Sequence, residues 1–207
     1  MSMSRKERMR RTLQHETVDR IPTQINYTDA MGQLMADHFN LPLAELPSFL
    51  GNHMIRVDLS HPGTLNADSS VKFDWWGVGF DTKEEGYFAA VSPLKENSDL
   101  DQYPWPDPNA PQLLADAERT IKRMGDDYFI TPNFGFVLFE RAWTLRGFEQ
   151  FFMDMAIDPG FTNELLDRIT DIQLQLIHRY LDLGVDGGYF GDDYGAQKNL
   201  LFSPKMW

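Results

Sequence analysis

Two adjacent carboxylates, Asp192 and Asp193, stand in Gly191-Asp192-Asp193-Tyr194-Gly195-Ala196-Gln197, directly after the strand-like run Gly187-Gly188-Tyr189-Phe190. Loops at the carboxyl ends of strands are where α/β proteins place their chemistry. Neighbouring carboxylates repel, so one of a pair can hold a proton near neutral pH and act as acid or base. Their oxygens also suit a hard cation. The plainer reading is a capped turn, in which Asp bonds the backbone of its own loop.

Other polar residues sit at comparable places. If the strands line a barrel, Asn26, Asp58 with His61, Thr131 with Asn133, and the Asp192-Asp193 pair all converge at one mouth. Asp58 closes a strand-like run, and a lone Asp there also suits a turn. His53, Asp58 and His61 have metal-ligating chemistry, but opposite faces of a strand separate the two histidines. Trp75, Trp76, Trp105 and Trp143 can stack on a flat ligand or pack a core. Phe148, Phe151, Phe152, Met153 and Met155 read as helix core.

Strand-like and helix-like segments alternate to position these groups. Ile21 to Asn26 reads as a first strand. Thr28 or Asp29 caps a helix whose apolar positions are Met31, Leu34, Met35 and Phe39. Leu43 to Leu50 makes a short helical turn closed by Gly51, and Met54 to Leu59 a second strand. Val71 to Val91, with Gly77, Gly79 and Gly86 as turn points, reads as a β-hairpin excursion. Tyr103-Pro104-Trp105-Pro106-Asp107-Pro108 excludes helix and central strand, since each Pro removes a donor and restricts its predecessor. A helix from Pro111 to Met124 ends at Gly125, and Tyr128 to Thr131 is a third strand. Phe139 to Met155 forms two short helices meeting near Gly147. A long helix from Asp158-Pro159 to Leu183 carries the stripe Leu165, Ile169, Ile172, Leu176, Tyr180 and Leu183. The fourth strand, Asp186 to Phe190, leads into the acidic loop. Ser203-Pro204 then looks like a helix start, with Ser as cap and Pro in the first turn.

Four strands alternating with helices point to an α/β fold with a parallel sheet, either doubly wound or a (β/α)8 TIM barrel. No Gly-x-Gly-x-x-Gly turn follows the first strand, which weighs against dinucleotide binding. A barrel of about 250 residues or more would be only half present in these 207. Both outcomes stay open at this point, and in either the excursion at 71–91 lies inside one domain over residues 1–207.

Composition narrows the function classes. Nineteen basic and 31 acidic residues leave a net charge of −12, and the basic residues Arg5, Lys6, Arg8, Arg10 and Arg11 crowd the start. No basic face for nucleic acid follows. The basic run itself reads as a solvated first helix, with a transit peptide or an anionic-lipid contact as the other options. No apolar run approaches the ~18 residues of a membrane span, and a cytoplasmic location is expected. The chain has no Cys, so it offers no thiolate nucleophile and no Cys-based zinc site.

Several pieces together resemble the uroporphyrinogen decarboxylase family. They are Arg5-Lys6-Glu7-Arg8 with Asp19-Arg20-Ile21-Pro22, Asp74-Trp75-Trp76-Gly77-Val78-Gly79, and Pro93-Leu94 leading to the Tyr103–Pro108 run. Phe139-Glu140-Arg141-Ala142, Leu145-Arg146-Gly147, Met153-Asp154-Met155, the Gly191–Gln197 loop and Ser203-Pro204-Lys205-Met206 follow in the family's order. The resemblance implies a (β/α)8 barrel with this chain as its amino-terminal half or somewhat more. It implies either of two activities. One is methyl transfer between small methylated compounds or thiols and a corrinoid protein, with a His/Cys zinc site in the later half of the barrel. The other is a lyase reaction, cofactor-free decarboxylation of a tetrapyrrole in porphyrin biosynthesis. The decarboxylases carry Arg-Gln-Ala-Gly-Arg soon after the first strand, whereas this chain has Gln24-Ile25-Asn26-Tyr27-Thr28-Asp29, without Arg. Methyl transfer is therefore the favoured expectation. On this resemblance Asp58 matches a strand-end catalytic Asp. Asp192 or Asp193, with Tyr189 and Gln197 nearby, matches the loop that faces substrate, and Asn26, from its place at a strand end rather than from the resemblance, is expected as a further substrate contact.

Two further readings stand beside it. A barrel glycosidase needs two carboxylates on different strands about 5–10 Å apart, which leaves Asp58 with Asp192. A non-catalytic half barrel would expose its first and fourth strands and need a second copy or a complementing half to cover them.

Overall fold

The computed structural model describes residues 3–83 and 88–207. They form a mixed α/β structure of two compact units, one of Met1–Asp58, Leu114–Asn133 and Asp182–Tyr189, the other of Leu59–Leu113, Phe134–Leu181 and Phe190–Trp207.

In the first unit, helix α1 (Arg5–Leu13) starts at Ser4, whose hydroxyl accepts from Glu7 N. Helix α2 (Asp29–Phe39) starts at Thr28, which caps Met31 N, and ends on Asn40 in the left-handed region. A 3₁₀ turn (Leu43–Glu45) and α3 (Leu46–Phe49) follow, and Gly51, at φ +74°, turns the chain into β1 (Met54–Val57). After helix α4 (Ala115–Met124) comes β5 (Phe129–Gly135), and β6 (Tyr189–Gly191) comes last among the strands. The sheet order is β1-β5-β6, with β1 parallel to β5 and Arg56 opposite Thr131.

The first expected strand is not one. Ile21 to Asn26 is extended, yet only one ladder bond ties it to the chain before β1, His53 N donating to Thr23 O at 3.0 Å. The Asn52 side chain replaces the next rung, accepting from Ile25 N at 2.8 Å and donating to Ile25 O at 3.1 Å. A side-chain amide imitates a strand neighbour here, so the pairing does not propagate. The helix expected from Pro111 begins at Ala115, and the strand expected from Asp186 begins at Tyr189.

The basic run is a solvated face only in part, at Arg10 and Arg11. Arg5 pairs with Asp127, Lys6 and Arg10 both reach Asp186 (2.9 and 2.7 Å), Arg8 pairs with Asp19 at 2.6 Å, and Arg11 with Glu7 at 2.5 Å. The Asp186 side chain is only 2 % exposed and also accepts from Ile130 N at 3.0 Å. Arg5, Lys6, Arg8 and Arg10 thus clip the helix onto its own unit, while Arg11 pairs within the helix and stays partly in solvent.

In the second unit, β2 (Thr64–Leu65), β3 (Val71–Phe73) and β4 (Gly79–Asp81) form an antiparallel sheet in that order. The excursion is therefore three-stranded and begins before Val71. Gly79 also bridges Val91, while the expected turn at Gly86 lies outside the described residues. Helices α5 (Phe139–Arg146) and α6 (Phe148–Ile157) meet at Gly147, whose φ of +91° disfavours any side chain. Helix α7 (Pro159–Asp182) buries Leu165, Ile169, Ile172, Leu176 and Tyr180, as its 3.6-residue stripe requires. Trp76, Trp143, Phe139 and Phe151 join Leu165 and Ile169 in the core, with Trp75 and Trp105 packed against it. Met153 departs from the core reading and is half exposed. No helix starts at Ser203. A single turn forms, with Ser203 Oγ accepting from Met206 N at 3.3 Å.

Candidate functional site

Strand alternation puts Met54, Arg56 and Asp58 on one face of β1. Parallel register carries that face across to Thr131, and Asn133 lies two residues further on. Asn133 Nδ2 donates to Asp58 Oδ1 at 2.8 Å, which fixes a carboxylate that is otherwise exposed. The Arg56 guanidinium lies over the Tyr189 ring, 5.0 Å from its centroid. Beyond Asn133, within the second unit, Phe134 packs edge-on against Tyr180 of α7. Asp58, Arg56, Asn133, Thr131 and Tyr189 therefore form one polar stripe along the sheet, with Asp58 and Asn133 toward its carboxyl end.

Of the residues expected at the mouth, Asp58, Thr131, Asn133 and Tyr189 come together. Arg56 was missed. Its signal in the sequence was a charge inside a strand whose neighbours, Ile55 and Val57, are apolar. Asn26 is exposed on the extended segment and takes a long 3.5 Å contact from Gln24 Nε2.

Asp192 and Asp193 belong to the second unit and differ sharply. Asp192 Oδ2 accepts from Phe139 N (2.8 Å), Leu138 N (3.2 Å) and the Tyr194 hydroxyl (2.9 Å), and Oδ1 from Glu140 N (2.8 Å). It closes the amino end of α5, where free amides and the helix dipole favour an anion. Burial and the bond to Asp192 push the Tyr194 phenol up. Burial, then the Asp192 charge, raises the Glu140 carboxyl as well. Asp193 is exposed and accepts from Gly195 N at 2.9 Å, an Asx turn. Gln197 is exposed in the following tight loop.

The histidines do not form a metal set. His53 is fully buried, with Arg8 Nη1 2.8 Å from Nε2 and Thr23 O 3.1 Å from Nδ1. His61 is exposed and accepts from Gly63 N. Among the described residues no group of three or more His, Cys, Asp or Glu could hold a metal ion. The family resemblance places its zinc in the later half of the barrel rather than on these residues, and no step below runs through it.

Comparison with known proteins adds one likeness. A solved methyltransferase from Methanosarcina mazei has a similar fold, with a TM-score of 0.62 at 19 % sequence identity. The match covers 99 % of this chain and 63 % of that one, so the chain spans under two thirds of the solved structure's length. At that identity the likeness concerns the fold. The sequence matches no protein-family model and no curated protein. Among the described residues no helix is long and apolar enough to cross a membrane.

Proposed function

We propose that this chain is part of a methyltransferase built on a (β/α)8 barrel of the uroporphyrinogen decarboxylase kind. The methyl group would move between a small methylated compound or thiol and a corrinoid protein. The observation that carries the reading is the fold likeness to a methyltransferase along 99 % of the chain. The ordered motifs from Arg5 to Met206 point the same way.

In this reading substrate lies against the polar stripe, toward its carboxyl end. Asp58, held by Asn133 and open on its other side, takes the proton. With a thiol as acceptor, the S–H proton passes to Asp58, sulfur bonds the methyl carbon, and the methyl donor keeps the electron pair of the broken bond. Tyr189 and Asn26 serve as substrate contacts. Asp192, Asp193 and Gln197 are assigned to the substrate-facing loop, with Asp192 acting by fixing α5.

The test is methyl transfer by the protein purified as the cell produces it, from methylcobalamin to a panel of small thiols, with S-methyl products read by mass spectrometry. Activity is expected, with Asp58→Asn lowering turnover about 100-fold or more. Failure across the panel, with conversion of uroporphyrinogen by the same preparation, would replace methyl transfer with decarboxylation.

A further inference from the structure

The stripe holds two groups that the proton-transfer role of Asp58 does not use. One is Arg56. It is half buried, and among the described residues it makes no ion pair and no hydrogen bond, only the cation–π contact with Tyr189. Every arginine of α1 and several elsewhere are paired with carboxylates. In a chain of net charge −12, an unpaired guanidinium in a strand is a costly choice where Leu or Val would pack. The second group is Thr131, directly opposite Arg56 in the register. It is 2 % exposed, and its hydroxyl is buried with no hydrogen-bond partner. Buried hydroxyls without partners are rare in folded proteins and carry a cost. A cation and an orphan donor side by side on one sheet face share one complement, an oxyanion.

We infer that Arg56, with Thr131 and Tyr189 beside it, forms a subsite for an oxyanion group of a small ligand. Guanidinium presents a planar fork of N–H donors that matches carboxylate or phosphate oxygens. The Thr131 hydroxyl supplies one further donor, and the Tyr189 ring orients the guanidinium from below. As a statement about substrate class this rests on the methyltransferase reading: the methylated compound or thiol then carries a negative group at the end remote from Asp58. The subsite itself stands on the stripe's geometry and is tested without any methyl donor.

The experiment is isothermal titration of the protein with malonate and, separately, with inorganic phosphate, at low ionic strength so that surface charge is not screened. Three variants are compared, Arg56→Met, Thr131→Val and, as a control at an exposed cation of α4, Lys122→Met. Saturable binding of at least one probe is expected, weakened about tenfold or more by Arg56→Met, which is about 1.4 kcal/mol. Thr131→Val is expected to weaken binding several-fold while raising the melting temperature, because it removes an unsatisfied hydroxyl. A purely structural threonine would not couple those two changes. Lys122→Met leaves the affinity as it was. Tighter malonate than phosphate binding identifies a carboxylate ligand, and the reverse order a phosphorylated one. Binding of neither probe, or binding indifferent to Arg56→Met in a variant that melts cooperatively, overturns the subsite. Loss of methyl transfer with intact probe binding would sink the enzymatic reading and leave the subsite standing.

Discussion

At Nε2, His53 meets Arg8 Nη1 at 2.8 Å, and since Arg only donates, that nitrogen is an acceptor. Nδ1 lies 3.1 Å from Thr23 O, which a proton there meets, and 3.2 Å from Thr23 N, which donates to it when it is bare. Protonation would set two donors against each other. Burial, with Arg20 and Arg8 nearby, accordingly holds the ring's pKa below its usual value. A depressed histidine binds fewer protons folded than unfolded, so stability is whole above about pH 6.5 and falls as pH drops through and below it. Thermal melts of the wild type from pH 8 to 5 should show that fall, and His53→Gln should start lower and run flatter. Parallel profiles would mean that His53 stays neutral or finds another partner. Arg8 also ties this histidine to Asp19, whose carboxyl it holds well below the usual range. The same type of pair recurs: Arg141 with Asp74 at 2.7 Å, and Arg146 with Asp154 at 2.6 Å. Both partners in each case lie in motifs that carry the family resemblance. Asp74 additionally accepts from Trp76 N and Val78 N, and Arg146 from its side donates to Leu94 O. These motifs are the joints of the scaffold. Breaking one half of such a buried pair leaves an uncompensated charge, which explains why the resemblance reads as fold before it reads as chemistry.

Helix α5 shows why some of the site escaped the sequence. Its cap position is Leu138, which has no side chain to satisfy the first amides. The acceptor is Asp192, more than fifty residues along the chain. Local patterns such as Ser4 before α1 or Thr28 before α2 are readable because cap and helix are adjacent. A cap delivered from a distant loop leaves no local mark, so the Asp192-Asp193 pair reads from sequence as paired acid and base. Helix α7 was legible for the opposite reason, since a stripe over 24 residues needs no partner to be recognised. The extended Ile21–Asn26 segment misled because its pattern is that of a strand while its rungs come from the Asn52 side chain. Asp58 was found by its place at a strand end, whereas Arg56 required the register to show that no carboxylate answers it. The distant cap carries a measurable consequence. Asp192→Ala strands three backbone amides and the Tyr194 hydroxyl, and should cost about 1–2 kcal/mol, a melting temperature lower by roughly 2–8 °C. Asp192→Asn keeps an acceptor oxygen and should cost less. A melt of Asp192→Ala within a degree of wild type would show that the carboxylate is not holding α5.

On the scale of the whole molecule, charge and apolar surface pull against each other. The apolar stripe expected to bury α2 does not: Met31, Leu34 and Phe39 are largely exposed, and the helix is held through Gly32 and Ala36 instead. Gly32 lets the Tyr27 ring approach so closely that a Cβ would sit 2.9 Å from it. Leu43 and Phe49 add to the same region of the first unit, with Phe49 4.7 Å from the Phe39 ring. Exposed apolar side chains gathered on one helix face favour association, since each buried contact removes surface from water. The net charge of −12 opposes it between like chains, over a Debye length of about 10 Å at 0.1 M salt. The two terms answer differently to salt, because screening weakens the repulsion and leaves the apolar gain in place. Sedimentation at about 0.05 M and again at about 0.5 M salt should therefore give an average mass that rises with protein concentration, and more steeply at the higher salt. Leu34→Glu puts a charge in the middle of the α2 face and should return the protein to a constant, lower mass at both salts. A mass independent of concentration in the wild type would mean that the exposed face does not join copies of this chain. Association unaffected by Leu34→Glu would place the contact elsewhere.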